Sequence, residues 1–339
     1  SALCAKSYIE VYLIGLNKPK TDFYSGISRL HLKYWDLTSG TDTTQSGSLN
    51  KLKYLRVYSQ IRKKVIEFGP DIIHAHYASS YGLLAALLNI HPFVLSVWGS
   101  DVYSFPNRSF LHKKLLQYNF AKADVLLSTS YVMAKEIHKY TNKEIKITPF
   151  GVDTNLFCKI NIESDNSKFI IGTVKTLAPI YGIDTLIKAF KIVKDNNVID
   201  VELLIIGEGP QYNELQSLVV DLNLQDNVIF LGRIPNHQLP YYYNLFDVAV
   251  SLSRSESFGV VAVEAMACEC PVVVSDAEGF TEVVDNETGV IVLKDNPEEA
   301  ASAIQNFIDN RTLKDLYGKR GRAKAVSYTH LTLPTTERV

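Results

Sequence analysis

No segment of this chain approaches the roughly 20 consecutive apolar residues that a helix needs to cross a bilayer. Its opening also lacks the charged and apolar regions of a secretory leader. A cytoplasmic protein is expected. Cysteine is scarce: Cys4, Cys158, Cys268 and Cys270 contain no Cys-x-x-Cys spacing, which argues against a disulfide framework or a thiolate metal site. The close pair Cys268-Glu-Cys270 falls between a predicted helix and a predicted buried strand, where small core residues are the commoner outcome. Asp-x-Asp occurs nowhere. The chain does not begin with methionine, and Ser1 to Tyr8 read as the tail of a helix, so a missing N-terminal segment is expected.

What is present points to two domains. A chain of 339 residues is long for one compact core. The net charge of −1 is unevenly divided. Residues 1–150 hold 19 lysines and arginines against 10 aspartates and glutamates, and residues 151–339 hold 16 against 26. A basic half joined to an acidic half suggests different partners for each.

Along the chain, Ile9 to Ile14 reads as a buried strand. Lys51 to Phe68 places Leu52, Leu55, Tyr58, Ile61 and Val65 at a near-helical period, with Lys51, Lys53, Arg56, Arg62, Lys63 and Lys64 around them. This basic amphipathic helix is either a solvated helix on the core or a peripheral contact with the inner face of a membrane. From Asp71 to Ile147 short apolar strands alternate with helical segments, and the rhythm restarts at Phe169 after the break at Pro149 to Thr154. Such alternation predicts parallel sheets covered on both faces. The fold class expected is α/β, with two facing Rossmann-like domains and a cleft between them, over residues 1–150 and 151–325. Residues 326–339 show neither helical nor strand logic. They read as the translation of a sequencing adapter, which would leave the natural C-terminus missing.

The most informative stretch is Glu256-Ser-Phe-Gly-Val-Val-Ala-Val-Glu264. A helix starting near Gly259 leaves its first N–H groups unpaired, and their partial positive charge favours a phosphate. Two carboxylates beside such a site are suited to accept hydrogen bonds from hydroxyls flanking that phosphate. Hydroxyls on both sides of a diphosphate describe a nucleotide sugar; two solvated surface glutamates at a loop corner are the competing reading. Gly207-x-Gly209 resembles the start of a dinucleotide fingerprint, but Tyr212 stands where the third glycine would be, which weakens a nicotinamide enzyme.

Together with Asp71-Ile-Ile-His-Ala-His76, Gly99-Ser-Asp101, Pro149-Phe-Gly-Val-Asp153, Gly182-Ile-Asp-Thr-Leu186, Leu231-Gly-Arg233, Pro271-Val-Val-Val274 and Thr288-Gly289, this motif resembles the retaining glycosyltransferases of family 4, which have the GT-B fold. The resemblance covers nearly the whole chain. It implies transfer of a sugar from a UDP- or GDP-sugar donor to a glycan or lipid-linked acceptor hydroxyl, with retention, in surface polysaccharide or glycolipid assembly. The donor would sit mainly on the second domain. Glu256 would hold donor-sugar hydroxyls, Glu264 the ribose hydroxyls, and the amides of Phe258, Gly259 and Val260 the diphosphate, with Gly207 and Arg233 also on the donor side. The leaving group would be met by fixed N–H dipoles and the cation Lys175. The lack of Asp-x-Asp fits a fold that works without metal, and neither a cofactor nor a nucleic-acid partner is implied.

Two departures stand out. The family has an arginine and, six positions later, a lysine where this chain has Lys175 and Tyr181, and Lys175 lacks the bidentate fork of arginine. Trp98 stands where many members have histidine, offering a stacking face and one N–H but no acid/base capacity. Asp101 stays a catalytic candidate near the reacting sugar, and Trp98, Gly99 and His76 are acceptor-side candidates. His74 and His76 flank the end of a strand, with one of them expected to point inward. A nucleotide-sugar epimerase or phosphorylase-like enzyme of the same fold, and a non-catalytic nucleotide-sugar-binding module, are the alternative functions.

Overall fold

The computed structural model describes residues 8–18, 27–35, 56–162, 168–197 and 199–329. It separates into two compact units, residues 1–148 and 149–339.

In the first unit β1 (Val11–Gly15) runs parallel to β2 (Leu30–Tyr34). A four-stranded parallel sheet follows in the order β3 (Ile73–His76), β4 (Phe93–Ser96), β5 (Val125–Ser128), β6 (Ile145–Ile147). One face of this sheet, through Ala75, Phe93, Leu95 and Leu126, packs on Ala85 and Ala86 of α2 (Ser80–Leu88). Leu116 and Phe120 of α4 (Phe110–Lys122) and Met133 and Ile137 of α5 (Tyr131–Ile137) complete that core. A short α3 (Ser100–Tyr103) precedes α4.

The basic helix α1 spans Tyr58–Phe68, and Lys51, Lys53, Leu52 and Leu55 of its predicted start lie outside the described residues. Its apolar positions Ile61 and Val65 are buried with Leu16, Val57 and Leu84. The described part of the stripe is therefore spent on the protein's own core.

The two histidines of β3 correct the expectation that one of them points inward. Successive side chains of a strand alternate faces, so His74 and His76 share one face while Ala75 between them enters the core. Their rings lie 4.1 Å apart.

The second unit is built on one six-stranded parallel sheet in the order β12-β11-β10-β7-β8-β9. These are β7 (Lys168–Val174), β8 (Asp200–Ile206), β9 (Val228–Gly232), β10 (Val248–Ser251), β11 (Val272–Ser275) and β12 (Val290–Val292). Leu203, Ile205, Val248, Val250 and Val273 face one layer, formed by α6 (Ile183–Asn196), α7 (Tyr212–Asp221) and α11 (Pro297–Asp309). Leu204, Ile206, Ala249, Val272 and Val274 face the other, with α8 (Leu239–Leu245), α9 (Val260–Ala267) and α10 (Glu278–Val283). Burial on both faces explains why these strands read as unbroken apolar runs. Cys268 and Cys270 are buried in the second layer, which pushes the Cys270 thiol up to about 12 and the Cys268 thiol higher still.

The last helix, α12 (Arg311–Thr329), runs past the end that the pattern predicts. Val326, Ser327 and Tyr328 are helical because the final turns have something to pack on. Ala325 is fully buried, and the Tyr328 ring lies 5.7 Å from that of Phe258. Residues 330–339 lie outside the described residues.

Candidate functional site

The strand order of the second unit identifies a position for a ligand before any side chain is considered. From β7 the chain moves outward to β8 and β9, then returns to the other side of β7 to lay down β10, β11 and β12. At the carboxyl ends of β7 and β10 the connections diverge, and a crevice opens at such a switch point. The loop after β7 carries Lys175 and Tyr181; the loop after β10 carries Ser253, Arg254 and Glu256.

These loops meet in an ion pair. The Lys175 ammonium donates to Glu256 Oε2, with side chains only 8% and 13% exposed. The ammonium also lies 4.9 Å from the centroid of the Tyr181 ring and 5.4 Å from that of Phe280 in α10. One cation is thus held by a carboxylate and two aromatic faces. The other Glu256 oxygen accepts from the Ser257 amide at 3.3 Å.

Immediately beyond Glu256 the chain turns into α9. Gly259 takes φ +93°, and a Cβ there would stand 2.6 Å from the Phe280 ring, so glycine is required on both counts. Among the described residues the amides of Phe258, Gly259 and Val260 donate to no acceptor. The Phe258 side chain is buried and anchors this turn in the core. Free amides at a helix start with an ammonium in the adjoining loop are chemically suited to an anion.

Glu264 lies within α9, 3% exposed, and accepts from Tyr243 OH at 3.1 Å and from Asn236 Nδ2 at 3.4 Å. Both partners come from segments around α8 that the motif itself does not reveal. Gly207 serves chain packing: its backbone φ is +143°, and a Cβ would stand 1.8 Å from the Lys175 carbonyl. Hydrogen bonds from Lys175 N to Ile206 O (2.9 Å), Leu177 N to Glu208 O (3.0 Å) and Gln211 N to Leu177 O (3.0 Å) lock the two loops together. Arg233, after β9, is exposed, and among the described residues it forms no hydrogen bond or ion pair with Lys175 or Glu256.

Arg254 is the residue that sequence reasoning missed. Its guanidinium donates to Asp184 Oδ2 at 2.8 Å, Asp295 Oδ1 at 2.7 Å and the Pro179 carbonyl, and its amide donates to Ile180 O at 2.8 Å. Burial works against the Asp184 carboxylate, but the guanidinium beside it outweighs this and holds its carboxyl below the usual range. Arg254 thereby ties the Glu256 loop to the turn that presents Tyr181. A cation two residues before Glu256 was the available signal.

In the first unit Asp101 is fully buried, and its carboxylate accepts from the amides of Ala78 (2.7 Å), Gly99 (2.8 Å) and Trp98 (3.2 Å). Burial pushes its carboxyl above the ordinary value, partly offset by those amides. Its geometry is that of a clamp joining the loops after β3 and β4, and Gly99 is part of the clamp. Trp98, 42% exposed, stands edge-on to His76 with ring centroids 5.6 Å apart. His74 bonds Ser96 Oγ at 2.8 Å. Crowding that strips water from His74, together with repulsion from His76, lowers it to about 4.

Two family models match the sequence: glycosyl transferases group 1 over residues 159–324, and glycosyl transferase 4-like over residues 2–130. An uncharacterized glycosyltransferase of Methanocaldococcus jannaschii is 30% identical over 276 residues, 80% of this chain and 75% of that one. The sucrose-phosphate synthase structure from Thermosynechococcus elongatus superposes with a TM-score of 0.80 at 23% identity, covering 97% of this chain and 86% of the other. Anabaena HepE in complex with UDP and glucose gives 0.75 at 20% identity, covering 94% and 89%. These neighbours share the fold.

Proposed function

This chain belongs to the group 1 and 4-like glycosyltransferases, and on that footing we propose that it moves a sugar from a nucleoside-diphosphate donor to an acceptor hydroxyl with retention at the anomeric carbon. The observation that carries the reading is the Lys175–Glu256 pair set beside the free amides at the start of α9.

The donor diphosphate takes the place at the α9 amides, where both the helix dipole and Lys175 favour it. Its charge competes for the Lys175 ammonium and releases the Glu256 carboxylate to accept from hydroxyls of the donor sugar. Glu264 holds the ribose. The bond from the anomeric carbon to the diphosphate oxygen breaks, the acceptor oxygen bonds to that carbon, and the acceptor proton passes to the departing phosphate. Amides and ammonium already in place meet the charge that develops on the leaving group. No step calls for a metal. A donor of the UDP or GDP class suits the site, and the related fold that holds UDP and glucose supports the former. The acceptor is a glycan or lipid-linked hydroxyl, assigned to the first unit at Trp98 and His76, and the enzyme works in the cytoplasm in surface polysaccharide or glycolipid assembly.

Incubation with a panel of UDP- and GDP-sugars and oligosaccharide or lipid-linked acceptors tests this. Glu256→Ala is expected to abolish transfer, and the anomeric configuration of the product to match the donor. Turnover of donor with no acceptor present would assign an epimerase instead, and tight binding without any transfer a non-catalytic module.

A further inference from the structure

We infer that the outer face of α4 is a docking surface for an anionic lipid bilayer. Residues 102–123 contain no aspartate or glutamate and four cations, Arg108, Lys113, Lys114 and Lys122. The inner side of α4 is committed to the core through Leu116, Asn119 and Phe120. Its outer side exposes Phe110 at 71%, Leu111 at 76% and, two turns on, Tyr118. An adjacent phenylalanine and leucine so far out of the protein forgo burial that apolar side chains otherwise gain.

Aromatic and cation alternate along this face at a spacing of four. Phe110, Lys114, Tyr118 and Lys122 follow one another, with the Lys114 ammonium 5.4 Å from the Phe110 ring and that of Lys122 5.9 Å from the Tyr118 ring. Residues four apart share a helix face. Among the described residues Lys113, Lys114 and Lys122 form no ion pair. Rings at the level of the lipid headgroups with lysines reaching the phosphates are the chemistry of an interfacial helix.

The basic helix that the sequence nominates for this contact is the contrast. On α1 the apolar positions Ile61 and Val65 are buried, and Lys63 and Lys64 are both within ion-pair range of Glu67 at 3.9 and 2.7 Å. Two of its cations are thus partly neutralised, and it exposes one large aliphatic side chain, Ile66, where α4 exposes an adjacent phenylalanine and leucine with a tyrosine two turns on.

Co-sedimentation of the full chain with vesicles decides the matter, and it does not depend on the transfer reaction. Wild-type protein is expected to pellet with vesicles of phosphatidylcholine and phosphatidylglycerol, to stay in solution with phosphatidylcholine alone, and to be released by high salt. The pairs Phe110→Ser with Leu111→Ser and Lys113→Glu with Lys114→Glu should each weaken partitioning by at least about tenfold. Arg62→Glu should leave it unchanged. These side chains are exposed, so all variants should keep the wild-type thermal unfolding midpoint. Wild-type protein that ignores anionic vesicles, an α4 variant that binds as wild type, or binding to a single-stranded oligonucleotide in place of vesicles would each overturn the assignment.

Discussion

The ammonium of Lys175 rests 4.9 Å from the centre of the Tyr181 ring, so the residue standing where the family resemblance implies a second cation instead supports the first. A cation held against a ring gains about 1 kcal/mol. Tyr181→Leu is expected to raise the donor KM about fivefold with little change in kcat, while Tyr181→Phe, which keeps the ring face, behaves as wild type. Equal kinetics for all three proteins would show that the ring is only a neighbour.

Glu256 has a second consequence besides transfer. Removing it leaves the Lys175 charge enclosed without its carboxylate, a loss of about 3 kcal/mol for a buried pair. Urea unfolding of Glu256→Ala should show this, and adding Lys175→Met should restore most of it. A Glu256→Ala protein as stable as wild type would mean that solvent reaches the ammonium freely.

For Glu264 the informative change is to glutamine, which still accepts from Tyr243. Truncation to alanine would orphan that buried hydroxyl and mix stability with binding. Glu264→Gln is expected to raise the donor KM about tenfold, the worth of one charged hydrogen bond, with kcat within about twofold. A fall in kcat at constant KM would move Glu264 from the donor ribose to the reacting centre.

Asp101→Ala removes the acceptor of three backbone amides in a closed interior. At about 1 kcal/mol or more for each amide left unpaired, the first unit should lose roughly 3 kcal/mol of stability. Fluorescence of Trp98 beside the clamp would report the transition, and an unchanged urea midpoint would rule out the clamp.

The histidine pair makes stability depend on pH. His74 titrates near 4 in the folded protein against 6.5 for a free side chain, because crowding and then His76 disfavour its charged form. His76 is lowered by burial as well. Between those values the unfolded chain binds more protons, so stability is lost as pH falls from 6.5 toward 4 and is level above 6.5. The drop in urea midpoint between pH 7.5 and pH 5 should be smaller in His74→Asn than in wild type; identical drops would place the coupling elsewhere.

The parts of the molecule legible in the sequence are those fixed by local pattern. Val272 to Val274 and Leu203 to Ile206 announce buried parallel strands because both faces are covered, and Gly259 announces the start of α9. What escaped depends on partners distant in sequence. Leu30 to Tyr34 carries His31 and Lys33 and reads as surface until β1 lies beside it. Leu239 to Leu245, with Pro240 and three tyrosines, has weak helical character and is shaped by Tyr243 reaching Glu264. Asp101 is a catalytic candidate through the family resemblance, and only the fold shows its carboxylate accepting from the amide of Ala78 in a different loop. Arg254 is informative only once Asp184 and Asp295 are seen beside it.

The glycine contacts of the 207–209 loop bear on how the site meets its ligand. With no room between that loop and residues 175–177, and with three hydrogen bonds joining residues 175–177 to residues 206–211, neither strip can slide without the other. An arriving phosphate therefore finds Lys175 on a chain whose ordering entropy was spent during folding. Amide hydrogens of Lys175 and Leu177 should exchange on the slow timescale of the surrounding sheet, with or without nucleotide.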